Sequence, residues 1–180
     1  VQSNVKRMLA FSSVSHAGYL ILGVIVFNWN GVSAVLFYLA VYSVMNLGAF
    51  SIISIVEGND TGMTFRDYRG LAAKHPLLAI SMSIFMVSLA GFPPTAGFIA
   101  KYGLLSTAAE NGYIWLVIIA VINTLLSAYY YLRLIVNMYM RNKEETIEAT
   151  WVGLNKIFVG VLALMIFLLG IIPGFLLEIV

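Results

Sequence analysis

The sequence predicts an all-α, polytopic membrane helix bundle of about five transmembrane helices, the third of them broken at Gly-Phe-Pro-Pro. Three observations predict it. The 180-residue chain is 61% hydrophobic and only 10% charged, whereas soluble domains carry roughly 25% charged and about 45–50% apolar residues. Five stretches are long enough to cross a hydrocarbon core of about 30 Å, which takes roughly 20 helical residues. The basic residues, finally, crowd on one side of that five-span arrangement.

The first span covers residues 8–27, after the basic flank Lys6-Arg7, and stops at the turn Asn28-Trp29-Asn30-Gly31. The second, 32–56, runs to a polar loop from Glu57 to Pro76. The third, 77–109, has 33 residues, or roughly 50 Å if straight at about 1.5 Å per residue. That is too long for the membrane unless part is unwound. Pro93 and Pro94, flanked by Gly91 and Gly97, supply the break, because each proline removes a donor and clashes with the preceding turn. The fourth span, 113–140, follows the short Glu110-Asn111-Gly112 turn, and the fifth, 153–177, follows the charged segment 141–150. Residues 1–180 read as one membrane domain without internal repeats or a soluble unit.

Lys6, Arg7, Arg66, Arg69, Lys74, Arg141, Lys143 and Lys156 fall on one side, and the other side holds only Glu110 and Glu178. The positive-inside rule then puts the amino end in the cytoplasm and the carboxyl end outside. Arg133 lies near the inner end of the fourth span, where it can snorkel. Trp29, Tyr113 and Trp115 near the outer boundary and Trp151 near the inner one read as aromatic belts.

Several classes are disfavoured. Without cysteine there is no disulfide, thiolate-held cluster or Cys-type zinc site. His16 and His75 stand too far apart in sequence for metal-ligand spacing. There is no Gly-rich phosphate loop, and a net charge of +2 points to no nucleic-acid partner. The start at Val1 is not a signal peptide: Ser12, Ser13, Ser15 and His16 interrupt its apolar stretch. The chain is expected to begin inside a longer protein.

Lys101 is the residue most expected to carry chemistry, since every other lysine is in a loop or at a span end. A charge at the bilayer centre costs about 2.5–3.5 kcal/mol on the insertion scale. One reading has Lys101 snorkelling to the outer interface. The other places it beside the unwound backbone of Gly91, Pro93, Pro94 and Gly97. Broken helices occur where they are buried in protein or line a hydrated cavity, and transporters put ion sites there. A desolvated amine in such a place can load and unload a proton. The prolines alone would also suit a plain kink.

Polar residues recur at helical spacing: Ser12, His16 and Tyr19 in the first span; Tyr38, Tyr42 and Asn46 in the second; Asn123, Ser127 and Tyr130 or Tyr131 in the fourth. Spacings of three and four share a face. They read either as a hydrated proton axis with His16 as relay, or as ordinary interhelical hydrogen bonds worth about 0.6 kcal/mol each. The loop from Phe65 to Pro76 reads as a solvated charged face, or as one that docks a partner or braces the third span. Glu144, Glu145 and Glu148 read as a solvated linker.

Two longer motifs carry a family resemblance: the run Lys6-Arg7-Met8-Leu9-Ala10-Phe11-Ser12-Ser13-Val14-Ser15-His16-Ala17-Gly18-Tyr19, and the run from Ser88 through Gly91-Phe92-Pro93-Pro94-Thr95-Ala96-Gly97 to Lys101. Both resemble the antiporter-like subunits of respiratory complex I. Asn46-Leu47-Gly48-Ala49-Phe50 and Tyr68-Arg69-Gly70-Leu71 look like the subunit N branch. The resemblance implies the carboxyl-terminal helices of a longer subunit built from inverted repeats, with Lys101 as the central lysine of a broken helix, used in proton transfer. It implies a bacterial cytoplasmic (inner) membrane and other membrane subunits of complex I as partners. It implies no cofactor in this chain, with NADH, FMN, iron–sulfur clusters and quinone belonging to the rest of the complex. The family's larger members and the cation–proton antiporters carry His, His and Lys where Tyr38, Tyr42 and Asn46 stand here, which favours the subunit N branch. A subunit of a sodium–proton antiporter or membrane-bound hydrogenase, and a non-transporting scaffold, are the competing readings.

Overall fold

A computed structural model describes residues 2–57, 63–140 and 153–172. They form helices α1 (Val5–Val26), α2 (Trp29–Val56), the one-turn α3 (Leu71–Lys74), α4 (Pro76–Ala90), α5 (Ala96–Glu110), α6 (Ile114–Met140) and α7 (Gly153–Ile171). The chain is all-helical apart from one isolated bridge among the described residues. Helices α1, α2 and α6 are each long and apolar enough to cross a membrane. The expected third span is two 15-residue helices, α4 and α5. Expectations for Arg141, Lys143, Trp151, the linker glutamates, Glu178, the side chain of Lys156 and residues 173–177 lie outside the described residues.

Two helices start three residues earlier than hydropathy suggests, and capping is the reason. The Asn4 side chain accepts the Arg7 backbone N–H at 2.9 Å, and that of Asn28 accepts the Gly31 N–H at 2.8 Å. An N-cap satisfies a donor that the first turn leaves orphaned. Trp29, Asn30 and Gly31 are therefore helix, not turn. Phe27, with φ 47, closes α1 in the left-handed region.

The bundle is apolar on its flanks and buries several polar side chains within its apolar core. Phe11, Val14 and Ile21 of α1 and Ile119, Leu125 and Leu126 of α6 are exposed, while Ser12, His16, Ser88, Lys101 and Ser127 are buried. A water-facing surface would show the reverse; lipid makes this arrangement favourable. Asn28 donates from its amide to Asn111 at 3.2 Å, so the α1–α2 and α5–α6 turns share one end. Trp29, Tyr113 and Trp115 are exposed there.

At the other end the loop before α4 is tied to the amino terminus. Thr64 bridges Asn4, Val5 N–H donates to Met63 O at 2.9 Å, and Phe65 N–H donates to Ser3 O at 3.1 Å. Lys6 pairs with Glu57 at 2.9 Å, and the Arg133 guanidinium lies 4.5 Å from the Phe65 ring centroid. The loop is thus more than a solvated face. Arg66 is exposed, but Phe65, Tyr68 and Leu71 are buried. Burial pushes the Tyr68 hydroxyl well above its ordinary pKa, with nearby Glu57 and Asp67 adding to the effect. Close packing also seals the α4–α5 joint. A Cβ on Gly170 of α7 would stand 2.6 Å from the Thr95 carbonyl carbon, so only glycine fits against that backbone.

Candidate functional site: the helix break and the histidine cluster

The site begins with a backbone deficit. Helix α4 ends at Gly91, whose φ of 84 lies in the left-handed region that glycine tolerates. There the Gly91 N–H reaches the Val87 and Ser88 carbonyls, and the Phe92 N–H reaches Val87, as in a Schellman stop. The next two carbonyls, Leu89 and Ala90, would in a continuing helix accept from residues 93 and 94. Both are proline and have no N–H. An unpaired carbonyl in an apolar interior is costly.

Lys101 of α5 supplies the missing donors. Its Nζ donates to Leu89 O at 2.8 Å and to Ala90 O at 3.3 Å. The side chain is 4% exposed and runs back to the break rather than out to the boundary. An ammonium has three donors. With two on carbonyls, Nζ also lies 5.0 Å from the Tyr19 ring centroid, a cation–π distance. Gly91 leaves room for this: a Cβ there would stand 2.9 Å from Lys101 Cδ.

Tyr19 joins the lysine to the rest. Its hydroxyl donates to Ala120 O at 3.0 Å and shares a hydrogen bond with Thr124. One turn earlier on α1, His16 sits among phenols. Its Nδ1 is 2.7 Å from the Tyr38 hydroxyl, and its Nε2 is 3.2 Å from that of Tyr131. Tyr42 stacks on the imidazole at 4.4 Å between centroids. A neutral imidazole has one donor and one acceptor, so one of the two phenols donates to the ring and the other accepts from it. Reversing both bonds would exchange the ring's tautomers.

The structure brings together Lys101, His16, Tyr38 and Tyr42 around Tyr19, with Gly91, Pro93, Pro94 and Gly97 at the break. Ser12 and Ser127 are buried, and their hydroxyls donate to Leu9 O and Thr124 O of their own helices. Asn46 is half-buried and lines an open groove with Tyr42, Ser43 and Phe50. Asn123 lines another, with Ser15, Gly18 and Tyr19. Neither hydrogen-bonds to His16 or Lys101. Sequence reasoning overlooked Thr124 and the two carbonyl acceptors. The carbonyls had a signal: a proline four residues after each.

A family profile described as NADH:quinone oxidoreductase/Mrp antiporter, TM, matches residues 1–127. NADH-quinone oxidoreductase subunit N of Trichlorobacter lovleyi is 50% identical over 176 residues, covering 96% of this chain and 35% of that protein. The chain thus spans about a third of the length of that relative. A chain in the structure of respiratory complex I from Thermus thermophilus with bound aureothin superposes with a TM-score of 0.88 at 33% identity, covering 99% of this chain and 40% of its own length. One in the Mrp complex from Dietzia sp. superposes with a TM-score of 0.86 at 25% identity, covering 98% and 41%. The match of residues 1–127, with the subunit N likeness extending almost end to end, places this chain in the NADH:quinone oxidoreductase/Mrp antiporter transmembrane family.

Proposed function

We propose that this chain is the proton-translocating part of a subunit N-type membrane subunit of NADH–quinone oxidoreductase. Lys101 and His16 act as proton carriers, and Tyr19, Tyr38, Tyr42 and Tyr131 link or frame them. The observation that carries the reading is the buried Lys101 ammonium held on the Leu89 and Ala90 carbonyls. A membrane helix keeps a lysine at such a depth when a task offsets its desolvation. Other membrane subunits of the complex are its partners, and the bacterial inner membrane is its location, with the Lys6–Glu57 end in the cytoplasm. NADH oxidation and quinone reduction occur elsewhere in the assembly, with the cofactors there. Charge displacement or conformational change reaching this site drives the proton.

The test is Lys101→Ala in the intact complex in sealed vesicles, with assembly confirmed. Pumping is expected to fall about a hundredfold or more, the range for losing a positioned proton-transfer group. Unchanged pumping per electron would remove Lys101 from the path. The likeness to the Dietzia Mrp chain favours a second reading, a cation–proton antiporter subunit. Sodium-dependent proton movement would support it. Tyr38, Tyr42 and Asn46 weigh against it, because they leave α2 without an imidazole or amine.

A further inference from the structure

The two halves of the broken helix cap each other. Lys101 of α5 reaches back to the last carbonyls of α4. In the opposite sense, Ser88 of α4 reaches forward to the start of α5: the Gly97 N–H donates to Ser88 Oγ at 3.0 Å. That contact replaces the usual cap. Thr95, the N-cap residue of α5, gives its hydroxyl to Phe92 O and makes no side-chain capping bond. Ser88 is fully buried, and Gly97 packs so closely on it that a Cβ would meet the Ser88 carbonyl. The first turn of a helix carries orphan N–H groups and positive dipole character, and the last turn carries orphan carbonyls and the negative end. The serine oxygen meets the first and the ammonium meets the second.

We propose that Ser88 is a positioning residue for proton transfer at Lys101. It fixes the offset between α4 and α5 at which Nζ reaches both the Leu89 and Ala90 carbonyls. The two contacts share a short stretch of chain: Ser88 precedes Leu89 directly, and Gly97 lies one helical turn before Lys101. Releasing Gly97 from Ser88 frees α5 to slide along α4, and Lys101 then loses its matched pair of acceptors. The titratable groups that face Lys101 are Tyr19 and His16 of α1, and around those two stand Tyr38 and Tyr42 of α2 and Tyr130 and Tyr131 of α6. Helix α4 contributes none, and α7 none among its described side chains. Ser88 does not titrate, so any pH effect of changing it comes through these groups.

This inference rests on Lys101 being a proton carrier, and the experiment separates the two. Ser88→Ala is introduced into the intact complex, and proton pumping in vesicles is recorded against pH, scaled to assembled complex. The midpoint of the profile is expected to move by about half a pH unit or more, whereas Lys101→Met alone is expected to lose pumping across the pH range. A profile that superposes on wild type after scaling gives Ser88 a structural role only and overturns the proposal. If Ser88→Ala fails to assemble, Ser88→Cys repeats the test with a similar shape and a weak acceptor. If neither assembles, Ser88 is a folding residue and the proposal falls. Full pumping by Lys101→Met alone defeats the carrier reading itself. A superposing Ser88→Ala profile beside an inactive Lys101→Met defeats only this inference.

Discussion

Lys101 and His16 are buried in the same bundle but are held by different parts of the chain. At the break the acceptors are main-chain carbonyls, exposed by two prolines and aimed at an ammonium. In the cluster the partners are side-chain hydroxyls from two intact helices, arranged around an imidazole. Carbonyls only accept, so the break suits a cation. Phenols both donate and accept, so the cluster satisfies a neutral ring in either tautomer. A unit charge in a membrane is thus served by unwound backbone, and a neutral imidazole by regular helices with polar side chains.

The most direct way to break this contrast is to restore the missing donors. Replacing both Pro93 and Pro94 by Ala returns an N–H opposite Leu89 and Ala90, which then compete with Lys101. Pumping in vesicles, scaled to assembled complex, is expected to drop about a hundredfold. Retained pumping would show that the carbonyl cradle is dispensable. A smaller effect sharpens the other side. Tyr38→Phe leaves Nδ1 of His16 without its 2.7 Å partner and should cost about 1–3 kcal/mol, the penalty of an unsatisfied buried polar atom. Tyr131→Phe removes the longer 3.2 Å contact and should cost less. Thermal melts of the purified complex rank the two, and equal losses would argue against a network centred on the histidine. The smallest effect belongs outside both regions. Glu57→Gln, in a pair where Lys6 is half-exposed, should change stability by about 1 kcal/mol or less and leave pumping intact.

Much of this was legible in the sequence, for identifiable reasons. Proline and glycine act through their own backbone chemistry, so Gly91, Pro93 and Pro94 announced the break without tertiary information. Helix starts were less legible, because Asn4 and Asn28 cap by side-chain geometry that hydropathy does not register. The α2 stripe is gathered at His16 only in part. At about 100° per residue, positions four apart drift by about 40° and positions eight apart by about 80°. Tyr38 and Tyr42 therefore reach His16, while Asn46 has turned toward the open groove. The choice between Tyr130 and Tyr131 is decided by packing, which buries Tyr131 fully. The bracing of the loop was raised only in outline, since pairing of Ser3 and Asn4 with Thr64 and Phe65 joins segments some sixty positions apart.

Gly170 sits flush on the opened main chain at Thr95. One methyl group there would lever the last helix away and let acyl tails seep onto peptide groups that oil cannot solvate. A residue with no side chain thereby works as a gasket, keeping opened peptide groups apart from the greasy medium around them.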